Sequence, residues 1–140
     1  MNEITNEQAA YIAGFLEGEG SFIITCPNGN FQPKVVTAQK LPKVLNFMQA
    51  ITGIGKMVYR PARKGKSSIH FWRVASKEEV MDLIRRVYPY FIAPRTKKRA
   101  WCVFRSMELR GSMLSGRPHI SNRNTEKRQE LYETWNTTRR

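Results

Sequence analysis

The stretch YIAGFLEGEGSF, Tyr11 to Phe22, sets glycine at 14, 18 and 20 and glutamate at 17 and 19 within a segment of helical apolar spacing. A glycine in a helix interior costs roughly 1 kcal/mol relative to alanine, so a run of them implies that something needs the backbone to come close. Ala10, Gly14 and Gly18 recur every fourth residue and line one side of a helix as a strip without bulk. Such strips let two helix backbones approach closely. No second strip of this kind occurs in the chain. Its natural partner is therefore the same helix in an identical subunit, across a two-fold axis. Two Glu19 side chains then converge at the axis, where like charges require a cation between them.

Charge gives the second constraint. The 24 Lys and Arg outweigh 11 Asp and Glu, a net charge of +13. From Gly20 to Lys77 there are basic residues at 34, 40, 43, 56, 60, 63, 64, 66, 73 and 77 and no carboxylate at all. A polyanion is the fitting partner for such a segment, and nucleic acid supplies one through its phosphates, with a basic ribosome-like or membrane-surface protein as the alternative on charge alone. With 140 residues, 41% of them hydrophobic, the chain suits a single domain with one core, about 5–113, followed by a basic helical tail, about 114–140. No apolar run is long enough to span a membrane, and the polar start MNEITNEQAA is unlike a secretory signal. Cys26 and Cys102 lack metal-ligand spacing and read as reduced thiols of an intracellular protein.

Local patterns give the element order. Thr5 and Gln8 form a capping box for a helix that runs to about Glu17 and buries Ile12, Phe15 and Leu16. Ser21–Cys26 and Phe31–Gln39 read as strands joined at Asn28-Gly29. A helix over Leu41–Ile51 is followed by strands at Lys56–Arg60 and Ser68–Ala75, joined by the basic loop PARKGKS. Ser76 caps a helix to about Val87, Pro89 and Pro94 bracket an extended link, and helices follow over Thr96 to about Met113 and Asn124 to Trp135. The fold class is α+β, an α-β-β-α-β-β-α core with a four-stranded antiparallel sheet and a helical tail.

One face of this sheet packs on helices and the other stays wet. Alternation assigns Ile23, Thr25, Gln32, Lys34, Lys56, Arg60 and Arg73 to the wet face, with Arg63, Lys64 and Lys66 in the loop beside it. A β-ribbon fits the DNA major groove, where such side chains reach base edges. Val36, Val58 and Phe71 fall on the same face and sit less comfortably there, as a register slip of one would remove them.

Ile12-Ala13-Gly14-Phe15-Leu16-Glu17-Gly18-Glu19-Gly20 resembles the motif of the LAGLIDADG homing endonucleases, with Ile for the first Leu and Glu for both Asp. The element order is similar to that family's core as well. The resemblance implies a homodimeric, site-specific DNA endonuclease that makes a metal-dependent double-strand break in a long, partly palindromic target. It also implies Mg²⁺ or a similar ion such as Mn²⁺, no small-molecule cofactor, and a gene carried in a mobile intron. At matching positions it implies metal binding by Glu19 and by the Gly18 carbonyl. A catalytic pocket would come from Gln39, Lys43 and Lys97, with Lys98 or Arg95 as the alternative to Lys97. A non-cleaving nucleic-acid-binding module of the same fold, a maturase or regulator, is the alternative. His70 and His119 loosely suggest a His-Asn nuclease, but their spacing fits no such pattern and both read as structural or surface residues.

Overall fold

The computed structural model describes residues 1–109, 113–114, 117–118 and 122–138. His119, Arg139 and Arg140 lie outside the described residues. The capping box forms as expected: Thr5 Oγ1 accepts from the Gln8 amide at 3.2 Å, and Gln8 Oε1 accepts from the Thr5 amide at 2.9 Å. It opens α1 (Asn6–Glu19), two residues longer than its glycines suggested. Ala9, Ile12, Ala13 and Leu16 form the buried stripe, while Phe15 is only half-buried.

β1 (Gly20–Thr25) follows α1 without a linking residue. This junction depends on Gly20, where an added Cβ would lie 2.6 Å from the Leu16 carbonyl oxygen. A 3₁₀ turn over Pro27–Gly29, with Asn28 and Gly29 both at positive φ, leads into β2 (Gln32–Gln39). α2 (Lys43–Thr52) starts two residues later than expected, after Pro42. β3 (Lys56–Arg60) and β4 (Ile69–Val74) complete an antiparallel sheet of order β1-β2-β4-β3. Between them, Arg63 and Lys66 exchange backbone hydrogen bonds of 3.0 and 2.7 Å around Lys64 and Gly65, so the basic loop ends in a small hairpin of its own.

α3 (Lys77–Val87) is capped by Ser76, whose Oγ accepts from the Glu79 amide. α4 (Pro94–Glu108) begins earlier and ends earlier than the periodicity suggested, because Pro94 serves as its first residue rather than as the end of the link. A short pair, β5 (Met113–Leu114) and β6 (Arg117–Pro118), precedes α5 (Asn122–Thr137). No helix among the described residues is long and apolar enough to cross a membrane.

The core lies between the helices and one face of the sheet. Phe22, Ile24, Val35, Trp72 and Val74 from the strands meet Ile12, Leu16, Leu45, Met48, Leu83 and Val103 from the helices. α5 belongs to this body rather than hanging free. Trp135 donates its indole N–H to the Phe22 carbonyl at 2.7 Å, and the buried Arg128 donates to the Phe31 carbonyl. Cys26 and Cys102 are both free thiols, and burial pushes the Cys102 pKa up.

The turn between α2 and β3 has the strictest local requirement. Gly55 holds φ +79°, and a Cβ there would lie 2.4 Å from Trp72 Nε1, which itself donates to the Ile54 carbonyl at 2.9 Å. Gly29 also has positive φ but faces open space. Gly55→Ala is expected to lower unfolding free energy by about 2–4 kcal/mol, and Gly29→Ala by about 1 kcal/mol, in denaturant titrations. Equal losses would mean that Trp72 does not bear on Gly55.

Candidate functional site

Strand pairing fixes the face that the helices leave open. Ser21, Val36, Arg73 and Lys56 stand in one cross-strand row, and Ala38, Phe71 and Val58 in the next. Ile23 pairs with Lys34, Thr25 with Gln32 and Arg60 with Ile69. All seven residues assigned to the wet face from alternation therefore share it, and the register is not slipped. Val36, Val58 and Phe71 do lie on this face, contrary to the discomfort that their apolar character raised. Phe71 has a partner there, since the Arg60 guanidinium sits 5.3 Å from its ring centroid.

The electrostatics of this face are one-sided. Lys56 and Arg73 are direct cross-strand neighbours, a like-charge pairing that destabilises a free sheet. Burial, and secondarily the charge of Arg73, pull the Lys34 pKa below the usual lysine value. Among the described residues, no ion pair involves a basic side chain of this face or of its loop. A dense anion laid on the face would relieve that repulsion.

At one end of the sheet the two glutamates part company. The Glu19 side chain is exposed at the last residue of α1, where Gln39 Nε2 donates to its Oε2 at 3.4 Å. Thr37 Oγ1 donates to the Glu19 backbone carbonyl at 3.2 Å, tying the helix end to β2. Glu17 is half-buried rather than free in solvent. Its carboxylate accepts from the backbone amides of Ile92 at 3.0 Å and Ala93 at 2.7 Å, across the break before α4. Ala93 is the N-cap of α4 and offers no side-chain cap of its own, so Glu17 supplies a negative charge where that helix needs one.

Gln39 and Glu19 are thus brought together. Lys43 opens α2, four residues beyond Gln39, and Lys97 lies in the first turn of α4. Lys43 is exposed and Lys97 half-buried, and among the described residues neither side chain has a hydrogen bond or ion pair. Lys98 is exposed. Arg95 and Arg99 are engaged elsewhere, donating to the Thr138 and Phe22 carbonyls. Lys97 is therefore the first-turn cation of α4 without such a tether among the described residues. His70 shares its face with Trp72 but is only half-buried and rests against Tyr59 with ring centroids 4.9 Å apart.

The strip on α1 is uncovered. Gly14 and Gly18 each have nothing within 4 Å of a Cβ position, and Ala10 is exposed. Beside the strip, Tyr11 and Phe47 are each 47% exposed and meet edge to face at 5.8 Å. Apolar surface of this kind around a bare backbone suits contact with another helix.

No family model matches the chain, and no curated protein sequence matches it. Solved structures do. The chain superposes on the homing endonuclease I-CvuI, captured with its DNA target in the presence of Ca, with a TM-score of 0.71 at 14% identity over 95% of this chain and 82% of that one. Against the group I intron-encoded homing endonuclease I-CeuI, complexed with DNA, the TM-score is 0.68 at 18% identity over 100% and 70%. The LAGLIDADG homing endonuclease I-GzeII, with its DNA target, gives 0.71 at 19% identity over the whole of this chain but 46% of that longer one. The chain has the LAGLIDADG homing endonuclease fold.

Proposed function

We propose that this chain is an intracellular, site-specific DNA endonuclease of the LAGLIDADG type, acting as a homodimer with a divalent cation. The observation that carries the reading is the double use of α1. Its bare face offers a seam to a second copy, and its last residue presents an exposed carboxylate, Glu19, beside an open basic sheet. Residues 1–140 serve as one endonuclease domain, with the tail helix packed into it.

On this reading each subunit lays its open face in the major groove. Lys34, Lys56, Arg60 and Arg73 meet phosphates and base acceptors, and Gln32 and Thr25 add polar readout. Ile23, Val36, Val58 and Phe71 supply the apolar contacts that thymine methyl groups favour. Arg63, Lys64 and Lys66 at the loop tip follow the backbone, as does Lys98. A two-fold pair of such faces reads a long, partly palindromic site.

The donors at the end of α1 fit a hard cation. Glu19 offers a carboxylate and Gly18 a backbone carbonyl, while the described residues hold no cluster of three His, Cys, Asp or Glu. So sparse a set suits Mg²⁺ or Mn²⁺, which keep waters and share phosphate oxygens instead of taking a full protein cage. When bound, the ion supplies Lewis-acid stabilisation of the phosphate and an acidified water. The chain's own residues do the rest. Gln39 holds the Glu19 carboxylate in direction, and Lys97 and Lys43 stabilise negative charge as it develops on the scissile phosphate.

Substituting Glu19→Gln is expected to reduce cleavage by about 100-fold or more while DNA affinity is kept or improved. A variant that cuts at the normal rate would exclude Glu19 from the centre. At Gly14 an added Cβ has nothing within 4 Å, so Gly14→Leu should leave the fold standing while dimerisation weakens by about tenfold or more in sedimentation experiments. An unaltered dimer would exclude the seam. Only the protonated amine of Lys34 binds phosphate, so affinity falls as pH rises through its lowered pKa. Binding titrated upward from neutral pH should weaken earlier for the natural chain than for Lys34→Arg, whose charge persists. Coincident curves would place Lys34 away from the DNA.

A further inference from the structure

Glu17 and Glu19 leave the same helix end in different directions, one toward open solvent and Gln39, the other toward the backbone of the link before α4. We infer that Glu17 is a positioning residue for cleavage: it fixes the first turn of α4, and with it Lys97, relative to Glu19. The inference rests on the endonuclease reading above.

The geometry carries it as follows. The hydrogen bonds of Glu17 reach Ile92 and Ala93, the residues just ahead of Pro94. Pro94 has no amide and Ala93 no polar side chain, so the start of α4 lacks a local cap. Lys97 then sits one turn on, its amide bonded to the Ala93 carbonyl at 3.1 Å. A two-residue spacing along α1 therefore links the acid at the centre to the cation that serves it, through one carboxylate and one turn of helix. A water-filled link there would let the Lys97 ammonium wander, and reactions of this kind lose rate steeply with small misplacements.

The rest of α4 has its own anchors. Ala100, Cys102, Val103, Ser106 and Met107 are buried, and Arg99 donates to the Phe22 carbonyl at 3.1 Å. Removing Glu17 therefore leaves the helix docked and loosens its first turn. This separates Glu17 from a residue that merely holds the fold.

The test is a double-mutant cycle on single-turnover cleavage, with DNA affinity and melting temperature measured on each variant. Glu17→Ala is expected to cut about tenfold more slowly with unchanged affinity, within the range seen when a supporting contact is lost. In a Lys97→Ala background the same change should cost less than about twofold, because the group it places is gone. Glu17→Gln, which keeps an acceptor oxygen for the two amides, should recover to within about threefold of the natural rate. Equal losses in both backgrounds, or no loss, overturn the inference. Failure of the natural chain to cut any DNA overturns the endonuclease reading instead. Exchange of the Ile92 and Ala93 amides then decides the clamp alone: faster by about tenfold in Glu17→Ala if Glu17 holds them, unchanged if it does not.

Discussion

Everything at the site depends on a helix that passes into a strand with no residue to spare. Gly20 makes that junction possible, since any side chain there would strike the Leu16 backbone. Because α1 ends at Glu19 and β1 begins at Gly20, the last carboxylate of the helix is fixed against the sheet by construction. Thr37, bonding to the Glu19 carbonyl, and Gln39, bonding to its carboxylate, come from the neighbouring strand and complete the setting. The uncovered strip Ala10-Gly14-Gly18 runs along the same helix on the side away from the core. One element thus carries a core stripe, an uncovered strip of small residues and the exposed acid.

The sheet shows a complementary division. Its inner face is apolar and buried, so it pins the register, and a slip by one residue would expose Phe22, Val35 and Trp72 to water. The outer face is then free to gather charge that a closed fold would not tolerate. Lys56 beside Arg73, with Lys34 nearby and no carboxylate among them, is a surface whose free energy improves when an anion covers it. The apolar core lies on one side of the sheet and, among the described residues, the unpaired positive charge on the other.

Alternation made the sheet legible from sequence, because a period of two, read from Phe22 or Val35, assigns every neighbour. Hydrophobicity alone failed on Val36, Val58 and Phe71, whose presence on the open face follows from parity and not from their polarity. The capping box was a local pattern and formed as read, and the glycine strip does lie on the uncovered side of α1. Pro94 was mistaken for the end of a link because proline both stops helices and starts them. The role of Glu17 was out of reach, since its partners are backbone amides some 75 positions away that carry no side-chain signature. The docking of α5 was equally hidden. Trp135 meets a carbonyl 113 residues earlier, and no spacing rule connects the two.

The most direct test of the central claim is selection of cleaved sites from a randomised double-stranded DNA library, with Mg²⁺ and, in parallel, with Ca²⁺ or a chelator. The expected result is a long, partly palindromic sequence recovered as cut ends in Mg²⁺ alone. Tight recovery of such a sequence that stays intact in every condition would contradict it, leaving a DNA-binding module in which Glu19 no longer supports chemistry.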